Sequence, residues 1–189
     1  MKYDMTKKPT KGAERTLDAL SRIMFDLLSR ESFEKISVNE LCQYSNYPRA
    51  TFYNYFDDKY DLLNYCWITI GKQVHLEEYA QFDPEETLYI YFDRAYEFMA
   101  SYIEMFQRIL EFNPMDSFLV NHFRGFINNQ MREIFQHCPC EGRFKIPYEI
   151  VADHYSNTLL LVLEWSFLRG SICTKAKAHE YLQYLLAAI

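Results

Sequence analysis

Apolar residues recur at intervals of three and four along most of this chain, and alternating β-branched runs are few. Leu17, Leu20, Ile23, Met24, Leu27 and Leu28 share one face, predicting a helix from about Lys11 to Arg30. Val38, Leu41 and Cys42 then repeat at i, i+3, i+4 and predict two further turns. Ser37 precedes that run and Glu40 follows it by three, the signature of a capping box. Ser45-Asn46-Tyr47-Pro48 breaks the period. Asn46 reaches positive φ more cheaply than most residues, and Pro48 suits the first position of a new helix. That helix, from about Pro48 to Tyr55, is two turns long and anchored by Phe52 and Phe56. Arg49, Thr51, Asn54 and Tyr55 are left to point elsewhere. Two short helices joined by a tight turn predict a helix-turn-helix, whose second helix enters the DNA major groove.

The pattern continues helical to the end. Asp57 and Asp58 suit the positive end of a helix carrying Leu62, Leu63, Cys66, Trp67 and Ile70, expected to run to about Tyr79. Asp83-Pro84-Glu85-Glu86 marks another start. No breaker separates the following Leu88, Tyr91, Phe92, Phe98 and Tyr102 from Phe106, Ile109 and Leu110. Asn113-Pro114-Met115-Asp116 repeats the cap-plus-proline device ahead of a helix through Phe135, and His137 to Pro147 reads as a loop. From Pro147 to Leu168 a helix is apolar on nearly every side, leaving a thin strip of Asp153, Asn157 and Glu164. Such a helix must be covered all round, so one side is expected to meet a second copy of the chain. Gly170 suits its end, and Thr174 caps a last helix bearing Ala178, Tyr181, Leu182, Leu185 and Leu186. The expected homodimer face is Leu161, Trp165, Leu168, Tyr181, Leu182 and Leu185.

The fold class expected is all-α, about nine helices: a three-helix helix-turn-helix domain over 1–57 and a C-terminal helical bundle over 58–189 for dimerisation and ligand binding. Composition agrees, with 16 Tyr and 15 Phe available for a core and only five Gly and six Pro. A net charge of −6 looks wrong for a DNA binder until it is divided. Residues 1–60 carry 10 Lys/Arg and 9 Asp/Glu, whereas 61–189 carry 10 and 17, so the acidity belongs to the part that need not meet phosphate. The N-terminal Lys2, Lys7, Lys8 and Lys11 read either as a solvated terminus or as a basic arm on DNA. No signal peptide and no apolar run of about 18–20 residues appears, and five scattered cysteines suit a reduced, cytoplasmic compartment.

Ala50-Thr51-Phe52-Tyr53-Asn54-Tyr55-Phe56-Asp57-Asp58-Lys59-Tyr60-Asp61-Leu62-Leu63 closely resembles the recognition helix and next helix start of TetR-family transcriptional regulators. Thr16 to Leu20 with Met24-Phe25, and Ser32 to Val38, resemble the family's first helix and the approach to its second. The turn departs: the family usually has Ala-Gly-Val-Ser where this chain has Ser45-Asn46-Tyr47-Pro48. Glu164 to Gly170 with the capped last helix, and Phe106 to Asn113, look more loosely like the C-terminal regulatory domain of many Firmicutes-type members. The resemblance implies a homodimer binding double-stranded DNA, and phosphate contacts by Tyr53, Tyr55 and Lys59. The DNA-facing set is then Ser37, Arg49, Ala50, Thr51, Tyr53, Asn54, Tyr55 and Lys59, with Arg49 and Thr51 as base readers.

Other chemistry is sparse. No nucleophile–base constellation, phosphate loop or cofactor fingerprint is present, so neither an enzyme nor a cofactor is expected. His137-Cys138-Pro139-Cys140 is the most metal-like stretch, but C-x-C is shorter than usual zinc spacing and a loop is the expected reading. Trp67, Phe98, Tyr102, Phe106, Phe123, Phe126 and Trp165 read either as core or as the lining of a cavity for a small apolar or aromatic effector. Two functions stand: a DNA-binding regulator, expected to be a repressor on a palindromic operator, with a ligand-sensing domain; or a helical module whose C-terminal part binds another protein.

Overall fold

The computed structural model describes residues 9–75, 84–137, 145–169 and 173–187. All regular structure among them is helical, in the order α1 Lys11–Leu28, α2 Val38–Ser45, α3 Arg49–Tyr55, α4 Lys59–Gln73, α5 Pro84–Ser101, α6 Ile103–Phe112, α7 Phe118–His137, α8 Tyr148–Phe167 and α9 Lys175–Leu186. Two compact units form: Met1–Ile70 with Arg108–Val120, and Gly71–Gln107 with Asn121–Ile189.

In the first unit the Thr10 hydroxyl accepts from the Ala13 N–H and starts α1, which buries Leu17, Leu20, Met24, Leu27 and Leu28. The capping box at α2 forms in full. Ser37 Oγ accepts from the Glu40 N–H at 3.2 Å, and Glu40 Oε2 accepts from the Ser37 N–H at 2.9 Å. Asn46 ends α2 in the left-handed region at φ 58°, the conformation expected of it. Pro48 is one place off: it is the N-cap of α3, extended at ψ 149°, and its carbonyl accepts from Thr51 and Phe52. Phe52 and Phe56 are fully buried, with ring centroids 5.5 Å apart. Asp58 Oδ1 accepts from the N–H groups of Tyr60 and Asp61 and so opens α4.

Two helix boundaries differ from the periodicity. The fourth helix ends at Gln73 instead of near Tyr79, and His75 adopts a left-handed φ of 56°. The long central helix is broken at Tyr102, between α5 and α6. There the Ser101 hydroxyl donates back to the Glu97 carbonyl, and the Tyr102 N–H is shared between the carbonyls of Phe98 and Met99. A back-bonding serine bends a helix without any glycine or proline to announce it.

The second unit has one core, in which Leu88, Phe92 and Tyr96 of α5 meet Met131 and Phe135 of α7, Val151, Tyr155, Leu159 and Leu163 of α8, and Ala178 and Leu182 of α9. Ion pairs tie the same helices at the rim: Arg132 grips Asp153 through two bonds of 2.7 and 2.6 Å, and Arg124 meets Glu164 at 2.8 Å. Buried Leu182 therefore packs within its own protomer, which corrects its assignment to the dimer face. On α8 the outward positions include Ile150, Asn157, Leu161 and Trp165, spaced by seven, four and four, and on α9 they include Tyr181, Tyr184 and Leu185. Leu168 is half-buried against the core.

Candidate nucleic-acid interface

Seven residues of α3 divide cleanly. Phe52 is buried, while Arg49, Ala50 and Asn54 are exposed and Thr51, Tyr53 and Tyr55 are half-buried. Because Phe52 and Phe56 hold the helix by one edge, the opposite edge offers one guanidinium, a methyl, a hydroxyl, a phenol and an amide. These are groups that read base edges or grip phosphate. Arg49 is pre-arranged: its Nη2 donates to the Tyr53 hydroxyl at 3.2 Å and its Cζ lies 5.6 Å from that ring's centroid. An arginine resting on an aromatic face one turn away surrenders less side-chain freedom when it meets a guanine. Ser37 is half-buried, its hydroxyl engaged with Glu40 at the start of α2. The two hydrogen bonds from Ser37 hold the Glu40 carboxyl below its ordinary pKa.

Lys59, expected at a phosphate, is engaged with the protein's own backbone. Its ammonium donates to the carbonyls of Phe33, Glu34 and Ile36 at 2.9, 2.9 and 2.8 Å. Three donors meet three acceptors, so the side chain closes the loop between α1 and α2. The charge also lies 4.8 Å from the Phe33 ring centroid. Burial pulls its pKa below the usual lysine value, against the opposing carboxylates of Glu34, Asp58, Glu31 and Glu40. Sequence spacing could not reveal this, because the carbonyls belong to a loop more than 20 residues upstream.

Two exposed side chains of α2 escaped the sequence reading, Gln43 and Tyr44, the latter 54% exposed. A large aromatic outside the Val38–Leu41–Cys42 stripe was the available signal. A third omission is Asn113. It does not start α7, which begins at Phe118 with Ser117 Oγ accepting from the Val120 N–H. Asn113 instead is fully buried within the first unit.

The expected effector residues are differently placed. Trp67 belongs to the first unit and packs against Phe25, with centroids 6.1 Å apart. In the second, Phe98 meets Tyr102 at 4.9 Å and Phe106 at 6.0 Å, and Phe123 and Phe126 are half-buried on α7. Trp165 is 50% exposed, one turn from Leu161, and does not belong to a closed lining. His137 lies in α7 without a described side chain, and Cys138 and Cys140 lie outside the described residues. Among the described residues no cluster of His, Cys, Asp or Glu could hold a metal, and no helix is long and apolar enough to cross a membrane.

A two-turn α2, a left-handed asparagine, and a short α3 held by two phenylalanines define a helix-turn-helix DNA-binding protein of the transcription-regulator class. Residues 25–66 match the profile of the bacterial regulatory proteins of the tetR family. That stretch is a TetR-family DNA-binding domain, and the fold of the whole chain is shared with TetR-family regulators. The chain is similar to the crystal structure of a TetR-family regulator from Syntrophomonas wolfei, at 18% identity over 93% of this chain and 95% of that one, with a TM-score of 0.67. The fatty acid degradation regulator FadR from Bacillus halodurans shares 16% identity over 97% and 98%, with a TM-score of 0.63. A Clostridium perfringens protein described as a fatty acid metabolism regulator shares 14% over 90% and 98%, with a TM-score of 0.60. At these identities the likeness is one of fold. No curated protein matches the sequence.

Proposed function

We propose that the protein binds a palindromic operator as a homodimer, represses transcription there, and is released by a small apolar effector. The observation that carries the DNA-binding part is the outward edge of α3, where Arg49, pre-arranged on Tyr53, stands with Ala50, Thr51 and Asn54 opposite the buried Phe52. Arg49 and Thr51 read bases. Tyr53, Tyr55, Asn54 and Ser37 hold phosphates, which fix register without carrying sequence information.

The dimer rests on the exposed apolar groups of α8 and α9: Ile150, Leu161, Trp165, Tyr181, Tyr184 and Leu185. A patch of this kind on a monomer marks an interface. Two-fold pairing through these helices presents two recognition helices to half-sites about one helical turn, or a multiple of it, apart. The effector reading is supported by the aromatic run Phe98, Tyr102 and Phe106, and by two fold neighbours described as regulators of fatty acid metabolism or degradation. Such a ligand acts only through its preference for one conformation of the dimer.

The test is capture of genomic fragments by the purified protein, followed by footprinting. A protected, two-fold symmetric site released by an acyl or aromatic compound supports the whole reading. Protection unaffected by any apolar compound removes the effector, and absence of any protected site removes operator binding.

A further inference from the structure

The family match ends at residue 66, yet the first unit also contains Arg108–Val120. Asn113 is the polar centre of that added segment, with no exposed surface. Its carbonyl oxygen accepts from the Phe33 N–H at 2.8 Å. Its amide nitrogen shares two N–H donors among the carbonyls of Leu28, Glu31 and Ile109, at 3.1, 3.2 and 3.1 Å. Leu28 is the last residue of α1 and Glu31 lies just beyond it, so their carbonyls have no partner further along the helix. One side chain thus satisfies the frayed end of α1 and the start of the loop to α2. From Phe33 onward the same loop is held by Lys59, through Phe33, Glu34 and Ile36, and Ser37 follows immediately as the cap of α2. Phe118, at the other end of the segment, stacks on the Phe33 ring at 5.4 Å, and Tyr60 meets both rings edge-on.

We propose that Asn113 is a positioning residue for DNA binding: without touching DNA, it fixes the loop that sets where α2 begins. This rests on the DNA-binding reading above. The helix-turn-helix of this chain is complete only with a segment that begins 42 residues beyond the end of the family match (66 to 108). The chain enters that segment from Gln107 and leaves it at Asn121, both in the second unit, and Asn113 joins the segment to the α1–α2 loop by hydrogen bonds.

Asn113→Asp discriminates positioning from simple stability. It keeps the acceptor for the Phe33 N–H but sets a carboxylate against three carbonyls. The full-length protein and the variant are compared on a duplex selected from random DNA with the wild type, well below both melting temperatures. The variant is expected to bind about 10-fold more weakly at pH 8, with an unchanged salt slope, and to recover part of the loss near pH 5.5 relative to wild type, as the carboxyl regains a proton. In the wild type the Phe33 amide is expected to exchange as slowly as the α1 core. A folded variant with wild-type affinity at pH 8 overturns the inference, as does fast exchange at Phe33. Should Asn113→Asp fail to fold, Asn113→Ser, which still donates and accepts, is read the same way. Failure of the wild type to select any duplex sinks the DNA-binding reading instead, which the exchange measurement distinguishes.

Discussion

Lys59 both donates to the carbonyl of Phe33, at 2.9 Å, and rests its charge over the ring of the same residue, 4.8 Å from the centroid. A residue expected to grip DNA is spent on holding the loop in front of α2. Lys59→Met should therefore lower stability by roughly 1–3 kcal/mol, the cost of leaving buried carbonyls without a charged donor. Its binding to all duplexes should weaken while the dependence on salt stays that of the wild type. A direct phosphate contact would instead reduce the salt slope by about one, which fluorescence anisotropy over a salt series resolves.

Arg49→Ala removes the guanidinium resting on Tyr53. It should cost about 1–3 kcal/mol on the selected operator and relax sequence preference. Equal losses on operator and random duplex count against base reading.

Residue types a few positions apart predicted α1, the capping box, the left-handed Asn46 and the division of α3 because each is a local event. Ser37 and Glu40 are three residues apart, and Phe52 and Phe56 one turn. The jobs of Lys59 and Asn113 were not legible, since all but one of their named partners are backbone groups 23 to 85 positions away. Backbone acceptors leave no mark on residue type. The break at Tyr102 was hidden for a related reason: a serine that back-bonds looks like any surface serine. On α8 the sequence indicated that two sides need cover, and only the packing around Leu182 and Leu163 separated the inner from the outer side.

Glu40 offers a pH test. Hydrogen bonds from Ser37 hold its folded pKa below the ordinary value, so its contribution is present at neutral pH and fades as pH falls through that lowered pKa. The melting temperature of Glu40→Gln should lie below wild type at about pH 7, and the gap should close towards about pH 3. A gap that widens in acid contradicts the assignment.

The two tryptophans report the dimer. Trp67 is 5% exposed and Trp165 is 50% exposed in the single chain. In Trp67→Phe, emission from Trp165 should shift to the red on dilution as α8 loses its cover, and Leu161→Glu should show the red-shifted spectrum at every concentration. Sedimentation of the same samples should give a dimer for the first at micromolar concentration and a monomer for the second. A wild type that sediments as a monomer there removes the symmetric-operator mechanism.

The most direct measurement is selection of binding sites from random-sequence duplex DNA, carried out in parallel with the full-length wild type and Arg49→Ala. If the exposed edge of α3 reads bases in a two-fold dimer, the wild type should enrich an inverted repeat, and Arg49→Ala should lose preference at one symmetric pair of positions while still enriching the rest. Enrichment of an asymmetric site, identical preferences for both proteins, or no enrichment by the wild type would contradict it.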